Sequence, residues 1–320
     1  MICSMRFALA ACVALLFPLF AHAADYPNRP IRLIVGAAPG GGSDFVARTI
    51  TPKVSTLLGQ PIIIDNRGGA AGLVASELVA KAPADGYTLL LVFANYATFP
   101  SLQKKLNFDP EKDLVPVSDI ATSALVLTVA PGLQVKSVSE LIEIAKGRTL
   151  NYASPGVGSM GHLAAELFQS MAGVKMIHVP YKGGGPAIMG LLGGQVDVYF
   201  STPAAAITQM NAGKIRGLAV TGDKRAGFAP QLPTISQSGL EGYEVSGWFG
   251  IFAPIGTPQP VIDMISQAVA TAVKDPEIQK SLANDGDAAV GNSPPEFAKE
   301  VQTDIAKWSK IIKSSNIELE

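Results

Sequence analysis

Apolar and polar positions along this chain follow two different periods, and the changes of period mark its elements. Short, β-branched apolar runs, IRLIVG from Ile31, PIIID from Pro61 and TLLLVF from Thr88, read as strands, and stretches of helical period separate them. In the first such stretch, Asp44 to Leu58, the residues Val46, Ile50, Val54, Leu57 and Leu58 recur at intervals of three and four. Gly59 and Pro61 stop it. A second helix is predicted near Gly72 to Lys81. This βαβαβ order calls for a mostly parallel sheet covered by helices.

After a less regular stretch, DPEKDLVPVSDIATS, a second α/β series begins with ALVLTVAP. Its first helix opens on the capping box Ser137-Val138-Ser139-Glu140. LNYAS, a helix from about Gly161 to Met171, KMIHVPY, a helix after Pro186, QVDVYFS, a helix to Ala212 and IRGLAVTG follow. The remainder, YEVSGWFGIFAP and three helices, starts two of those helices with Thr257-Pro258 and Ser293-Pro294-Pro295-Glu296, where proline at the first helical position is well tolerated. Those helices have no strands of their own and need the first sheet to pack on. The expected architecture is therefore α/β with two lobes, residues 24–122 plus 245–320 forming one and 123–244 the other. The chain would cross between them near 119–128 and 240–253. Ligands in open α/β sheets sit outside the carboxyl ends of the strands, so a cleft between the lobes is the expected site and the crossings its hinge.

Residues 1–23 stand apart from this pattern. Arg6, the apolar run FALAACVALLFPLF and the tripeptide AHA have the three parts of a cleavable secretory signal, with cleavage expected near Ala23. The apolar run from Phe7 to Ala21 is 15 residues, short of the ~20 a membrane-spanning helix needs. Leu9-Ala10-Ala11-Cys12 also spells a lipoprotein box, but most of the apolar core follows it. Cleavage would leave 297 of the 320 residues and no cysteine, since Cys3 and Cys12 both fall in the leader. Export without disulfides fits a bacterial periplasm. The remaining 24 basic and 26 acidic side chains argue against a nucleic-acid partner, which would call for a basic excess.

Candidate chemistry centres on three glycine-rich strand-to-helix turns: Pro39-Gly40-Gly41-Gly42-Ser43-Asp44, Pro155-Gly156-Val157-Gly158-Ser159-Met160-Gly161 and Lys182-Gly183-Gly184-Gly185-Pro186. Glycine lets a backbone approach a ligand with its N–H groups inward, and the following helix adds a partial positive charge at its N-terminus. Such turns suit a carboxylate or phosphate, and glycine also serves simply to permit a tight turn. With turns in both lobes, a clamp on the two ends of an acidic molecule becomes the attractive reading. Gly156, Gly158 and Gly161 spell the dinucleotide fingerprint, but the acidic residue expected about 20 positions later is missing. APGGGSDF lacks the lysine of a phosphate-binding Walker loop.

Catalytic equipment is sparse. Ser159 has Val157 where a nucleophile elbow needs glycine. Ser43 or Asp44 is expected to cap a helix. After cleavage only His162 and His178 remain, and His162 suits a structural hydrogen bond better than a general base. No zinc-site spacing is present. Asp197 reads as a structural hydrogen-bonding residue. Among the aromatic residues that could wall a pocket, Tyr96, Tyr181, Trp248 and Phe249, packing suits Trp248 and the cleft suits Tyr181. Lys104 and Lys105 read as a solvated face.

Ordered blocks along the chain, among them YPNRPIRLIVG, APGGGSD, LGQPIIIDNRGGAAG, KAPADGYTLLL, NYASPGVGSMGHLAAELF, HVPYKGGGPAIMGLLGGQVD, AGKIRGLAVTGDKR and WFGIFAPIGTP, resemble those of the Bug-type periplasmic solute receptors of tripartite tricarboxylate transporters. The resemblance spans essentially everything after the leader. It implies a two-lobed, type II-like Venus-flytrap binding protein without catalysis; a monomer without cofactor or metal is expected. Such a receptor would deliver a small organic acid to the inner-membrane permease subunits of its transporter. It further implies that the loops matching Ala37 to Asp44 and Ser154 to His162 pinch the ligand carboxylate through backbone N–H groups and waters. Carried over by position, the ligand-binding residues are Ala37, Ala38, Gly40, Gly41, Ser43, Ser154, Gly158 and Ser159, with Tyr181 and Gly184 nearby. Thr202 follows a second-lobe strand and would point to the cleft.

The chain also departs from these receptors. Gly36-Ala37 stands where relatives often carry Pro-Phe, TFPSLQ replaces an Asn-Pro-Leu-Tyr block, and Ser201 replaces an aspartate common after the QVDVYF strand. The expectation is an acid bulkier than aspartate or malate, aromatic or a longer dicarboxylate. Two other readings remain open: a receptor that presents its ligand to a sensor, and a hydrolase using Ser159 with His162.

Overall fold

The structure is a computed structural model and describes residues 26–37, 39–69, 72–102, 105–181 and 183–315; the proposed leader lies outside them. The first series folds as β1 (Ile31–Val35), α1 (Gly42–Leu58), β2 (Ile62–Asn66), α2 (Leu73–Ala80) and β3 (Thr88–Phe93), followed by a short helix α3 (Phe99–Leu102). Then come β4 (Leu114–Ala124), β5 (Val126–Val129), α4 (Val138–Gly147), β6 (Leu150–Ser154), α5 (Met160–Ala172), β7 (Met176–Pro180) and α6 (Gly184–Leu192). The chain ends with β8 (Val198–Ser201), α7 (Pro203–Asn211), β9 (Arg216–Val220), β10 (Ser246–Pro254), α8 (Gln259–Ala272), α9 (Pro276–Asp285), β11 (Asp287–Ala289) and α10 (Pro294–Ser315).

Two sheets form the two lobes, ordered β11-β4-β10-β3-β1-β2 and β7-β6-β8-β5-β9. They are mixed rather than mostly parallel. β1 pairs parallel with β2 and β3, and β6 with β7 and β8, as the helix-crossover pattern requires. β10 and β4 run antiparallel to their neighbours, as does β5, because these strands carry the chain from one sheet to the other. The stretch that looked irregular in sequence is the long strand β4. Its alternation is broken where the register with β10 shifts, between Phe249 and Gly250 and again between Ile251 and Phe252.

Leu125 alone separates β4 from β5, and one residue ties both passages of the chain together there. The Thr221 hydroxyl accepts from the Leu125 N–H at 2.8 Å and donates to the Val245 carbonyl at 2.6 Å. Thr221 N–H in turn donates to the Leu125 carbonyl, and Val245 N–H to the Thr221 carbonyl. A buried threonine thus satisfies both strands where neither sheet continues.

The three C-terminal helices do pack on the first sheet, α8 and α10 across β4 and α8 against α1. Val46, Ile50 and Val54 of α1 meet Ile31, Leu33 and Val35 of β1 and Ile262, Ile265 and Val269 of α8 in one apolar layer. On the other side of the sheet Tyr96, Trp248, Phe252 and Phe297 form an aromatic cluster. Trp248 is buried there and its indole N–H donates to Asp304 Oδ2 at 2.9 Å, a packing role. At α4, Ser137 caps the helix as its sequence predicts, accepting from Glu140 N–H, while Glu140 reaches back to Lys136 N–H instead of to Ser137.

Candidate functional site

The first glycine turn enters α1 through Gly41, whose side-chain-free N-cap leaves the capping to a residue one turn ahead. Ser43 therefore does not cap the helix. Asp44, 3% exposed, reaches back and accepts the Gly40 N–H at 2.8 Å, while its carboxylate also accepts from Arg48 Nε and Asn66 Nδ2, each at 2.9 Å. Asn66 Nδ2 also donates to the Ala37 carbonyl at 3.1 Å, so the end of β2 and the start of α1 hold the loop from both sides. The Arg48 guanidinium holds the Asp44 carboxyl down to about 2; burial opposes this, and the Gly40 and Asn66 donors assist. Gly40 has φ +79°, a conformation that suits glycine.

The second turn satisfies itself in the same way with different chemistry. Gly158 N–H donates to His162 Nδ1 at 3.1 Å, and the Ser159 hydroxyl caps α5 while donating to the Gly156 carbonyl at 2.7 Å. The His162 ring stacks on His178 with centroids 4.0 Å apart, and His178 stacks on Tyr152. His178 Nε2 lies 2.6 Å from the Ser154 hydroxyl, and Tyr152 donates to Glu166 at 2.6 Å. Burial pulls His162 down to about 3, the neighbouring His178 ring adding to the effect, and burial takes His178 to about 4. Both rings are neutral at pH 7. Ser159 points its hydroxyl at a carbonyl and not at the His162 ring, so the pair lacks the nucleophile–base geometry a hydrolase needs. The third glycine of the fingerprint has a packing reason: a Cβ on Gly161 would stand 2.8 Å from the Phe200 carbonyl of β8.

A cavity of about 550 Å³ lies between the lobes. From the first lobe Ala37, Gly40, Gly41, Gly42 and Ser43 line it, and from the second Pro155, Gly184, Gly185 and Thr202. Ala37, Gly40, Gly41, Ser43, Gly184 and Thr202 are thus brought together around one cavity. Ser154, Gly158, Ser159 and Tyr181 are not among the lining residues. The first three sit in the self-satisfied second turn, and the Tyr181 hydroxyl packs over Gly190 and donates to Gln195 Oε1 at 3.2 Å. Ala38 lies outside the described residues. Asp197 accepts the Asn151 N–H at 2.9 Å, a structural bond.

Three aromatic rings complete the apolar wall, Phe45, Phe93 and Phe249. Phe93 and Phe249 lie 4.6 Å apart. Gly247 makes room for them, since a Cβ there would fall 2.1 Å from the Phe93 ring. Phe93 and Asn95, at the carboxyl end of β3, are where a strand-end rule would look. Asp285, Asp287 and Ser123 also line the cavity, and no sequence signal pointed to them because β11 is a three-residue strand. Burial raises the Asp285 carboxyl and pushes Asp287 up to about 7, with Ser123 opposing and Asp285 adding to the rise.

The family model described as Tripartite tricarboxylate transporter family receptor (TctC) matches residues 46–317. The chain belongs to this family. Among its relatives, Protein BugT of Bordetella pertussis is 33% identical over 298 residues, covering 92% of this chain and 91% of that protein. A protein from a tcbD-tcbE intergenic region of Pseudomonas sp. strain P51 is 34% identical over 90% of this chain and 86% of its own length. Among solved structures, R. palustris Rpa4515 with adipate superposes with TM-score 0.84 at 37% identity, covering 92% of this chain and all of that one. MatC (Rpa3494) from Rhodopseudomonas palustris with bound malate gives 0.79 at 32% identity over 90% of this chain and all of its own. The periplasmic binding protein BugD gives 0.81 at 31% identity. TctC members are transporter receptors and not enzymes, and the two-lobed binding-protein fold is theirs.

Proposed function

We propose that this chain is a periplasmic solute receptor, exported with cleavage near Ala23, that binds one small organic acid between lobes 24–122 plus 245–320 and 123–244. As a monomer it would deliver that acid to the inner-membrane permease subunits of a tripartite tricarboxylate transporter. One observation carries this reading: the N-terminus of α1 opens through Gly41, Gly42 and Ser43 into a cavity faced by Gly184 and Gly185, the start of α6, from the other lobe. Two helix N-termini bordering one cleft favour an anion. Adipate in Rpa4515 and malate in MatC give the class of anion for two relatives.

The acid is larger than malate. Ala37 leaves open the side of the first turn, and Phe45, Phe93 and Phe249 offer an apolar wall to an aromatic ring or a methylene chain. Calorimetric titration tests the size. Six-carbon and aromatic acids are expected to bind at least ~10-fold tighter than malate, about 1.4 kcal/mol, and selective binding of four-carbon acids overturns the reading. Native mass spectrometry of purified protein should show a co-purified acid of that mass. Small-angle scattering should give a smaller radius of gyration with ligand, as hinged lobes close on it.

A further inference from the structure

The cavity's charges point the wrong way for a molecule that is anionic at both ends. Among the described lining residues no Lys or Arg appears, and the charged side chains are Asp285 and Asp287. Asp287 is 5% exposed, and its Oδ2 has no hydrogen-bond partner among the described residues. Ser123 stands opposite it in register on β4 and lines the same cavity. The residue between the two acids is fixed by contact with the other lobe: a Cβ on Gly286 would fall 2.1 Å from Pro203 at the start of α7. The pair is therefore held at the inter-lobe wall.

Among the described residues no Lys or Arg forms an ion pair with these acids. Asp287 also borders a neighbouring cavity that holds Asp223, Lys224, Arg225 and Glu244. Arg225 donates to the Pro230 and Gln231 carbonyls, Lys224 lies 3.9 Å from Asp223, and Glu244 engages Ser246 and Lys307. A buried carboxylate without a partner is unfavourable unless a cation or donor reaches it. Resting on the carboxylate reading above, we infer that the acid bound here also carries a cationic nitrogen, an ammonium or guanidinium group, received by Asp285, Asp287 and Ser123. The α1 turn then takes its carboxylate, so the solute is an amino acid in the broad sense, its two charged ends separated by an apolar body lying along Phe93 and Phe249. A second carboxylate in place of the nitrogen would face two acids and, among the described lining residues, no base.

Three acids with one six-carbon chain isolate the far end: hexanoate, adipate and 6-aminohexanoate, titrated calorimetrically at pH 7.5. The expected order has 6-aminohexanoate at least ~10-fold tighter than the other two, with adipate weakest. In Asp287→Asn, a near-isosteric change whose folding a thermal melt verifies, that preference collapses at least ~10-fold and adipate gains; Asp285→Asn, on the exposed side of the pair, moves the same way by less. Adipate binding tightest to the wild type, or 6-aminohexanoate binding Asp287→Asn undiminished, overturns the inference and leaves the receptor reading standing. Failure of all three, together with benzoate and 4-(aminomethyl)benzoate, overturns the carboxylate reading and this inference with it.

Discussion

The two glycine turns that lead into α1 and α5 carry similar sequences and solve the same problem, yet only the first brings its glycines to the cavity, the second reaching it through Pro155. In each, a glycine N–H is donated to the side chain four residues on, Gly40 to Asp44 and Gly158 to His162. In the first lobe that side chain is an anion braced by Arg48 and Asn66, and the glycines ahead of the helix are left facing the space between the lobes. In the second it is a neutral imidazole inside a stacked column of His162, His178 and Tyr152, and the turn closes on itself. Glycine content marks where the backbone can turn tightly; the acceptor one turn later decides which N–H groups are spoken for.

Removing each acceptor should separate the two turns most sharply. Asp44→Ala strands the Gly40 N–H, Arg48 and Asn66 together, and loss of charge-assisted bonds at a buried site costs about 2–3 kcal/mol. Because the same loop lines the cavity, ligand affinity should also fall by about 100-fold, roughly 2.7 kcal/mol. His162→Ala should lower stability comparably through lost stacking and an unpaired Gly158 N–H, but affinity by less than about 10-fold. Urea unfolding and calorimetry on both variants read this out; equal affinity losses would erase the distinction between the turns.

Acid should then unfasten the second turn before the first. His162 and His178 titrate at about 3 and about 4 in the folded protein, below their ordinary 6.5. The unfolded chain binds those protons first, so stability falls as pH drops below 6.5 and continues to fall to the folded values. Between pH 6.5 and 5 the loss should be about 1–2 kcal/mol per ring. Asp44, lowered from 3.8 to about 2, contributes stability that is present above 3.8 and lost only as pH falls through 2. Asp287 has the opposite sign: raised from 3.8 to about 7, its contribution is full below 3.8 and disappears as pH rises through 7. Urea midpoints from pH 8 to 4 should accordingly fall less steeply in His162→Gln and more steeply in Asp287→Asn than in wild type.

The same comparison shows what the chain discloses in sequence and what it hides. Val46, Ile50 and Val54 announce α1, and the glycines ahead of it announce the turn, because helical period and φ freedom are local properties. β4 escapes because Pro116, Ser118 and Asp119 interrupt its apolar positions where it bulges against β10, and Asp119 is buried with its carboxylate accepting the Ala121 N–H. Asp285 and Asp287 reach the cavity from α9 and β11, far along the chain from either glycine turn. No local pattern records that approach, since only the packing of the C-terminal helices on the first sheet brings it about. The family resemblance likewise implies Ser159 and Gly158 at a clamp, whereas Ser159 donates to the Gly156 carbonyl and Gly158 to His162, whose ring stacks on His178 of β7.

Filling the open side of the first turn tests its role with a smaller expected effect. Ala37→Phe puts a ring where Ala37 now lines the cavity. Six-carbon and aromatic acids should lose about 10-fold in affinity, about 1.4 kcal/mol, while malate is affected by less than about 3-fold. The neighbouring Gly36 cannot take part in such a swap, because a Cβ there would stand 2.7 Å from Val92 and 3.1 Å from the Gly72 backbone. Uniform losses across the acids would mean that the ring blocks the entrance instead of narrowing the pocket.

Tyr181→Phe should give the smallest change and the most direct reading of the second lobe. In this conformation the hydroxyl donates to Gln195 Oε1 at 3.2 Å at an exposed position and is not part of the cavity lining. Loss of an exposed hydrogen bond costs about 0.5 kcal/mol or less, and affinity should stay within about 2-fold. The tyrosine nonetheless sits directly before the third glycine turn, whose Gly184 and Gly185 do face the cavity. A 10-fold loss measured calorimetrically, without a change in melting temperature, would therefore show that ligand binding turns this loop inward, and that the second lobe's contribution to the clamp is made on closure.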